Sequence, residues 1–353
     1  MHNLCLHVLT VYYIPDQTPF LKSAFPLYIS HPFHSLFVFV LKYYQNFGYT
    51  EMPEKKQIPQ QGESPLKYFY RQLTRTPAPV KNVNLEGRTA IVTGSNTGVG
   101  LEASRQLLEL GLSKLILAVR NEEKGKNTVA NLVSDLKLKD DVVEVWNLDL
   151  SIYNSVVAFA EHAKSLPTLD IVILNAGMWS PTRAFNKHTG HEETIQVNYL
   201  STALLAILLL PVAKAKRASQ PNPTRITFTS SEAAGFTKFA EKDEVPLFAA
   251  LDRKDAKVDP VDRMFIAKLL QQFFITELAN RVPASIAVIN SASPGSVYDT
   301  EFNRESEQGV IVKKVLKMMG NSASVGARMI TDAAVNHGEE THGQFLSFQE
   351  MVG

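Results

Sequence analysis

One cysteine, Cys5, occurs in the 353 residues. That excludes an internal disulfide framework and any cysteine-based metal cluster, and it fits a reducing compartment such as the cytoplasm. Excess charge is equally scarce, with 36 basic residues against 35 acidic ones. No global field therefore favours a nucleic acid or an anionic membrane, and a hydrophobic, nearly neutral small molecule is the expected partner. Long apolar runs are missing as well. "SLFVFVL" at 35–41 and "LLAILLLPV" at 204–212 fall short of the roughly 20 apolar residues that cross a bilayer, and Pro211 is expected to break the second. The second run reads as a buried helix, and no membrane span is expected. What is present, 45% hydrophobic and 20% charged residues, suffices for one large buried core.

The chain divides unevenly. Residues 1–51 are crowded with aromatics and histidines, nearly free of acids, and interrupted by Pro15, Pro19, Pro26 and Pro32. Three readings stand: an interfacial anchor giving peripheral membrane association, a poorly ordered extension, or translated upstream sequence with Met52 as the working start. Composition favours the last two. Residues 52–84 form a lead-in. From Leu85 to the end, at 85–353, short Val/Ile/Leu-rich runs alternate with helix-period segments: "TAIVTG", "KLILAV", "VVEVWNL", "LDIVILN", "RITFTS" and "SIAVINS". Apolar strands between helices predict an α/β, Rossmann-type doubly wound parallel sheet in a single domain with an N-terminal extension. Ligands of such sheets lie beyond the carboxyl ends of the strands, so functional residues are expected directly after these runs.

After the first run comes "TGSNTGVG", with Gly94, Ser95, Asn96, Gly98, Val99 and Gly100, leading into "LEASRQLLELG". Glycines let the backbone turn sharply and approach a pyrophosphate, while free N–H groups at the helix start attract its charge. Placed between a strand and a helix, the loop is a specific dinucleotide signal. The second run ends in "AVRN", where Arg120 supplies a planar cation for a ribose 2′-phosphate; this favours NADP(H) over NAD(H), and Lys124 can share or take that role. Asp149, in "NLDLS", can accept from an adenine amino group or cap the helix that follows.

Together with "LNAG" at 174–177, "VNYL" at 197–200, "TSS" at 229–231 and "SPG" at 293–295, these motifs resemble, in order, the signature of the short-chain dehydrogenases/reductases. "SPLKYFYRQL" and "KLLQQFFITELANR" resemble the branch related to retinol dehydrogenases and the WW-domain oxidoreductase, and its fungal members, many of them serving natural-product pathways, look closest. The resemblance implies cofactor contacts at Asn175, Lys268, Pro294 and Gly295. It also implies a catalytic Asn, Ser, Tyr, Lys tetrad: serine bonds the substrate carbonyl, tyrosine gives the proton, lysine depresses the phenol and holds the nicotinamide ribose, and asparagine anchors a relay water. Asn198, Ser231 and Lys268 fall on three of these places, with Ser230 as an alternative serine. Met264 falls on the fourth. In such relatives the apolar helix at 204–212 packs in a subunit interface, which implies a homodimer.

No tyrosine in the chain is followed four positions later by a lysine, so the pair is absent rather than displaced. A thioether has no proton to give. The expected function is an NADP(H)-dependent oxidoreductase performing carbonyl or imine reduction in secondary-metabolite biosynthesis, with atypical chemistry. Two alternatives stand beside it: a cyclase or other non-redox catalyst in which Met264 shapes an apolar pocket, and a non-catalytic NADP-binding or regulatory protein. "HTGHEE" at 188–193 has the composition of a metal site but no third ligand at obvious spacing, and no metal is expected. The charged stretch 238–262 is expected to be a solvated insert at the rim of the site.

Overall fold

The structure, a computed structural model, describes residues 65–298 and 320–352. The expectations for residues 1–51, Cys5 among them, lie outside the described residues. Eight strands form one sheet: β1 Thr89–Thr93, β2 Lys114–Val119, β3 Val143–Asn147, β4 Ile171–Leu174, β5 Thr224–Thr229, β6 Ala287–Ala292, β7 Phe345–Ser347 and β8 Glu350–Met351. Their order across the sheet is β3-β2-β1-β4-β5-β6-β7-β8. Strands β1 to β7 run parallel and β8 antiparallel. The six strands read from the apolar runs are all present, and the chain reverses its direction of travel between β1 and β4, which opens a crevice above those strand ends.

The helices are α1 Pro65–Thr74, α2 Gly98–Glu109, α3 Glu122–Leu136, α4 Tyr153–Ala163, α5 Thr202–Lys216, α6 Leu247–Leu251, α7 Pro260–Ala279 and α8 Ala323–Val335. Local chemistry sets several starts. Asn121 accepts from the N–H of Lys124 at 2.9 Å, with Glu122 and Glu123 in the first turn of α3. Asp259 does the same for Val261 at 2.9 Å, with Pro260 at the first helical position of α7. Successive residues of β1 point to opposite faces: Ile91 joins a core built by α4, α5 and α7, while Ala90 and Val92 join one built by α2 and α8.

Two expectations need correction. Pro211 does not break its helix: α5 continues through it, and a continuous helical run extends from Glu193 to Ser219. That run has the length and apolarity to cross a membrane, yet 83% of its most apolar window is buried inside the protein, where surrounding side chains stabilise it despite the lost hydrogen bond. The stretch 238–262 is not merely solvated, because Phe239, Leu247, Phe248 and Leu251 enter the main core. The lead-in carries α1, which docks on β7 and β8: Arg71 donates to Ser347 O at 2.6 Å and lies 4.8 Å from the centre of the Phe348 ring.

Candidate active site

The turn between β1 and α2 is built around close backbone approach. Gly94 and Gly98 sit at φ +63° and +57°, the left-handed region where a side chain is strained. A Cβ on Gly100 would lie 2.4 Å from Gly94 O and 2.5 Å from Asn175 Nδ2. Thr97 stands at the cap of α2 without bonding the first turn through its side chain. Ser95 is fully buried, and its hydroxyl has no partner among the described residues. A buried hydroxyl without a partner is costly, so this cradle fits a group that brings acceptors of its own, as a pyrophosphate does. Asn96 continues the turn, its carbonyl accepting from Thr128 Oγ1 at 3.4 Å, while Val99 turns into the core.

Beside the cradle stand the ends of β2 and β3. Arg120 is exposed there, and among the described residues only its carbonyl is engaged, by Asn147 Nδ2 at 3.3 Å. Lys124 is exposed one turn into α3. Asp149 Oδ1 accepts from Ser151 N at 2.8 Å and Ser151 Oγ at 2.6 Å. The turn-capping role thus occupies one carboxylate oxygen, and the other is left for a ligand.

Across the switch point stand the remaining residues. Asn175 ties strand ends together, donating to Thr93 O at 3.1 Å and Gly94 O at 3.3 Å and accepting from Thr229 Oγ1 at 3.3 Å. Its side chain therefore shapes the cradle and is not itself aimed at a ligand. Asn198 lies in a π-helical stretch, Gln196–Ser201, that leads into α5. It clasps the loop after β4 with both halves of its amide, at 2.7 Å to Met178 N and 2.8 Å to Met178 O, and its own carbonyl accepts from Gln271 Nε2 at 3.3 Å. Both ends of the Asn198 amide are thus engaged, and the relay-water role that the resemblance implies would fall to that carbonyl.

The two serines separate cleanly. Ser230 is buried and accepts from Gln272 Nε2 at 2.7 Å, which commits it to the interior. Ser231 is half-buried at the start of the 3-10 turn Glu232–Phe236, its oxygen accepting from Ala233 N at 3.1 Å and its proton left to donate. Helix α7 packs against this turn and against the π-helical stretch. Four residues apart on that helix, Met264 is half-buried and Lys268 is buried, so both share one face. Lys268 Nζ donates to Thr229 O at 2.6 Å, and burial lowers its pKa from 10.5 to about 8.

Several contacts at the site were not read from sequence. Arg263, directly before Met264, is fully buried and pairs with Glu192 at 3.0 Å and Glu241 at 2.9 Å, while Arg183 reaches Glu192 at 2.8 Å. This cluster pins the charged insert beside α7, and no pattern of spacing signals it. His191, from the histidine-rich segment, pairs with Asp252 of the insert at 2.6 Å. Glu232, next to Ser231, accepts from Ser347 Oγ at 2.6 Å and from Ser293 Oγ. Pro294 and Gly295 lie in the loop that Ser293 begins, after β6, with Gly295 at φ +68°.

Comparison with known proteins agrees with this arrangement. Residues 88–242 match the family model of the short chain dehydrogenase. The chain is 42% identical over 296 residues to the short-chain dehydrogenase fogG of Aspergillus ruber, covering 82% of this chain and 84% of that one. It is 38% identical over 287 residues to the short chain dehydrogenase sol3 of Alternaria solani, covering 81% and 98%. Among solved structures it is similar in fold to a short chain dehydrogenase of Shigella flexneri, with a TM-score of 0.57 at 18% identity over 77% of this chain and 94% of that one. A short chain dehydrogenase of Escherichia coli complexed with NADPH gives a TM-score of 0.52 at 19% identity, covering 77% and 100%. The chain belongs to the short-chain dehydrogenase family.

Proposed function

We propose that this protein is an NADP(H)-dependent reductase of a hydrophobic small molecule, acting on a carbonyl or imine in secondary-metabolite biosynthesis. The observation that carries the reading is the cradle between β1 and α2, where Gly100 leaves no room for a side chain and the Ser95 hydroxyl lacks a partner. A second Shigella flexneri short chain dehydrogenase of similar fold, with a TM-score of 0.54 at 18% identity, is complexed with NADP, and the Escherichia coli one with NADPH. We take the cofactor-binding domain to run over 85–353 with 52–84 as its lead-in.

Gly94, Ser95, Asn96, Gly98, Val99 and Gly100 hold the pyrophosphate, Arg120 the 2′-phosphate, Asp149 the adenine, and Lys268, Pro294 and Gly295 the nicotinamide half. The bound cofactor supplies hydride to an electrophilic carbon. On a carbonyl substrate Ser231 donates to the oxygen and stabilises the negative charge gathering there. Asn198 and Asn175 act by holding the loops on which the others depend. Met264 offers no proton, so its thioether contributes an apolar wall. That wall favours acceptors whose protonation is not coupled to hydride arrival, such as an iminium, over simple ketones.

Calorimetric titration with NADPH and NADH tests the cofactor assignment. Wild-type protein is expected to prefer NADPH. Arg120→Ala is expected to lose about tenfold in NADPH affinity, as one charge-assisted contact predicts, with NADH binding unchanged. An unchanged preference removes Arg120 from the site and passes the role to Lys124.

A further inference from the structure

The loop after β6 stands on the same side of the switch point as Ser231 and Lys268, opposite Arg120 and Asp149. If the cradle holds NADP(H), this loop belongs to the nicotinamide half, and what fixes its backbone matters for chemistry. Its conformation is demanding. Gly295 is at φ +68°, and Ser293 Oγ accepts from Gly295 N at 3.0 Å while donating to Glu232. One further contact comes from far away in the chain. Gln72, on α1 and 5% exposed, accepts from Ser296 N through Oε1 at 3.0 Å and donates to Ser296 O through Nε2 at 3.3 Å.

A side-chain amide that meets both the N–H and the C=O of one residue pairs with it as a neighbouring strand would, and so fixes orientation as well as position. The approach is close enough that a Cβ on Gly295 would fall 2.7 Å from Gln72 Oε1. The helix that presents Gln72 is itself anchored: Arg71 reaches Ser347 O, and Tyr68 packs with Met329 and Phe348. Ser347 in turn donates to Glu232, so α1 grips the loop directly through Ser296 and again through the β7–Glu232–Ser293 chain.

We propose that Gln72 is a positioning residue for the nicotinamide half of the cofactor site, acting through the backbone of the 293–296 loop. This rests on the NADP(H) reading above. It places a residue of the lead-in, upstream of the region matched by the family model at 88–242, within the working site.

The test compares two ligands on the full chain: NADPH, and 2′-phospho-ADP-ribose, which has the same adenosine half without the nicotinamide. Gln72→Met keeps the side chain's length and helix propensity and removes both hydrogen bonds. It is expected to weaken NADPH about tenfold, the combined effect of two neutral hydrogen bonds, and to leave 2′-phospho-ADP-ribose within about twofold. Gln72→Asn, which keeps the amide but is one methylene short, is expected to fall between, and it is read alone if the methionine variant does not fold. As a control, Arg75→Ala removes the exposed Arg75–Glu350 pair from the same helix and should leave both affinities unchanged. The inference is overturned if Gln72→Met binds both ligands as wild type does, if it weakens both equally, or if Arg75→Ala has the same effect. Wild-type protein that binds neither ligand removes the cofactor reading, and this inference with it.

Discussion

Met264→Tyr is expected to raise the reduction of lipophilic aldehydes and ketones by roughly 10²- to 10⁴-fold, the usual contribution of a positioned general acid. Met264 precedes Lys268 by four residues on α7, so a phenol introduced there shares the face of the buried ammonium. That cation lowers the phenol's pKa and readies its proton for transfer. The helix packs against the turn carrying Ser231, which places the other donor nearby. Overpacking of a core site typically costs about 1–3 kcal/mol, but Met264 is only half-buried and the ring has an open side to occupy. NADPH consumption on a substrate panel reads the result. A variant that folds, binds cofactor and remains inert means that the pocket has diverged beyond one residue.

Lys268→Met is expected to change how stability depends on pH. In the unfolded chain the lysine titrates near 10.5, and burial lowers it to about 8 in the fold. Below pH 8 both states carry the proton, and the fold bears the full cost of burying charge, about 3 kcal/mol. Between pH 8 and 10.5 the unfolded chain binds more protons than the folded one, so stability rises with pH; above 10.5 neither state is charged and the cost is gone. Denaturant unfolding of the ligand-free proteins at pH 7 and pH 10.5 measures this. The wild type should gain about 3 kcal/mol on the variant across that interval. Parallel pH dependence would mean that the ammonium is not desolvated. The same variant is expected to bind NADPH more weakly, since a buried charge kept at such a cost is best explained by what it holds.

Why some of this was legible in sequence and some was not follows from the range of the interactions. Strands β1, β2 and β4 coincide with runs of Val, Ile and Leu because a strand covered on both faces must be apolar throughout, whereas β3 at the sheet edge exposes Glu144 and Asn147. The cradle was legible for a similar reason: its glycines, turn and helix start are contiguous, so local backbone chemistry specifies them. The absence of a tyrosine four residues before Lys268 was equally plain, because helical spacing is local. Strands β7 and β8, three residues and two residues long, offer no such run, and they depend on pairing with β6 and with each other.

Where long-range packing decides, sequence rules gave way. A proline inside α5 was expected to end the helix, yet burial among neighbouring elements outweighs one missing hydrogen bond. The charged insert looked solvated because charge is normally exposed, and most of its charges are; Glu241 departs from this by pairing with the buried Arg263, and Phe239, Leu247, Phe248 and Leu251 by entering the core. Ser230 and Ser231 were indistinguishable as neighbours until Gln272 took one of them. By itself, then, the amino-acid order determined the parallel sheet, the dinucleotide turn and the absence of any tyrosine four residues before a lysine, all of which follow from periodicity and contiguous chemistry. Only the tertiary structure decided which serine is available, how deeply Lys268 is buried, and that Gln72 grips Ser296 across 224 positions of chain, because each depends on side chains that meet solely when the sheet has closed.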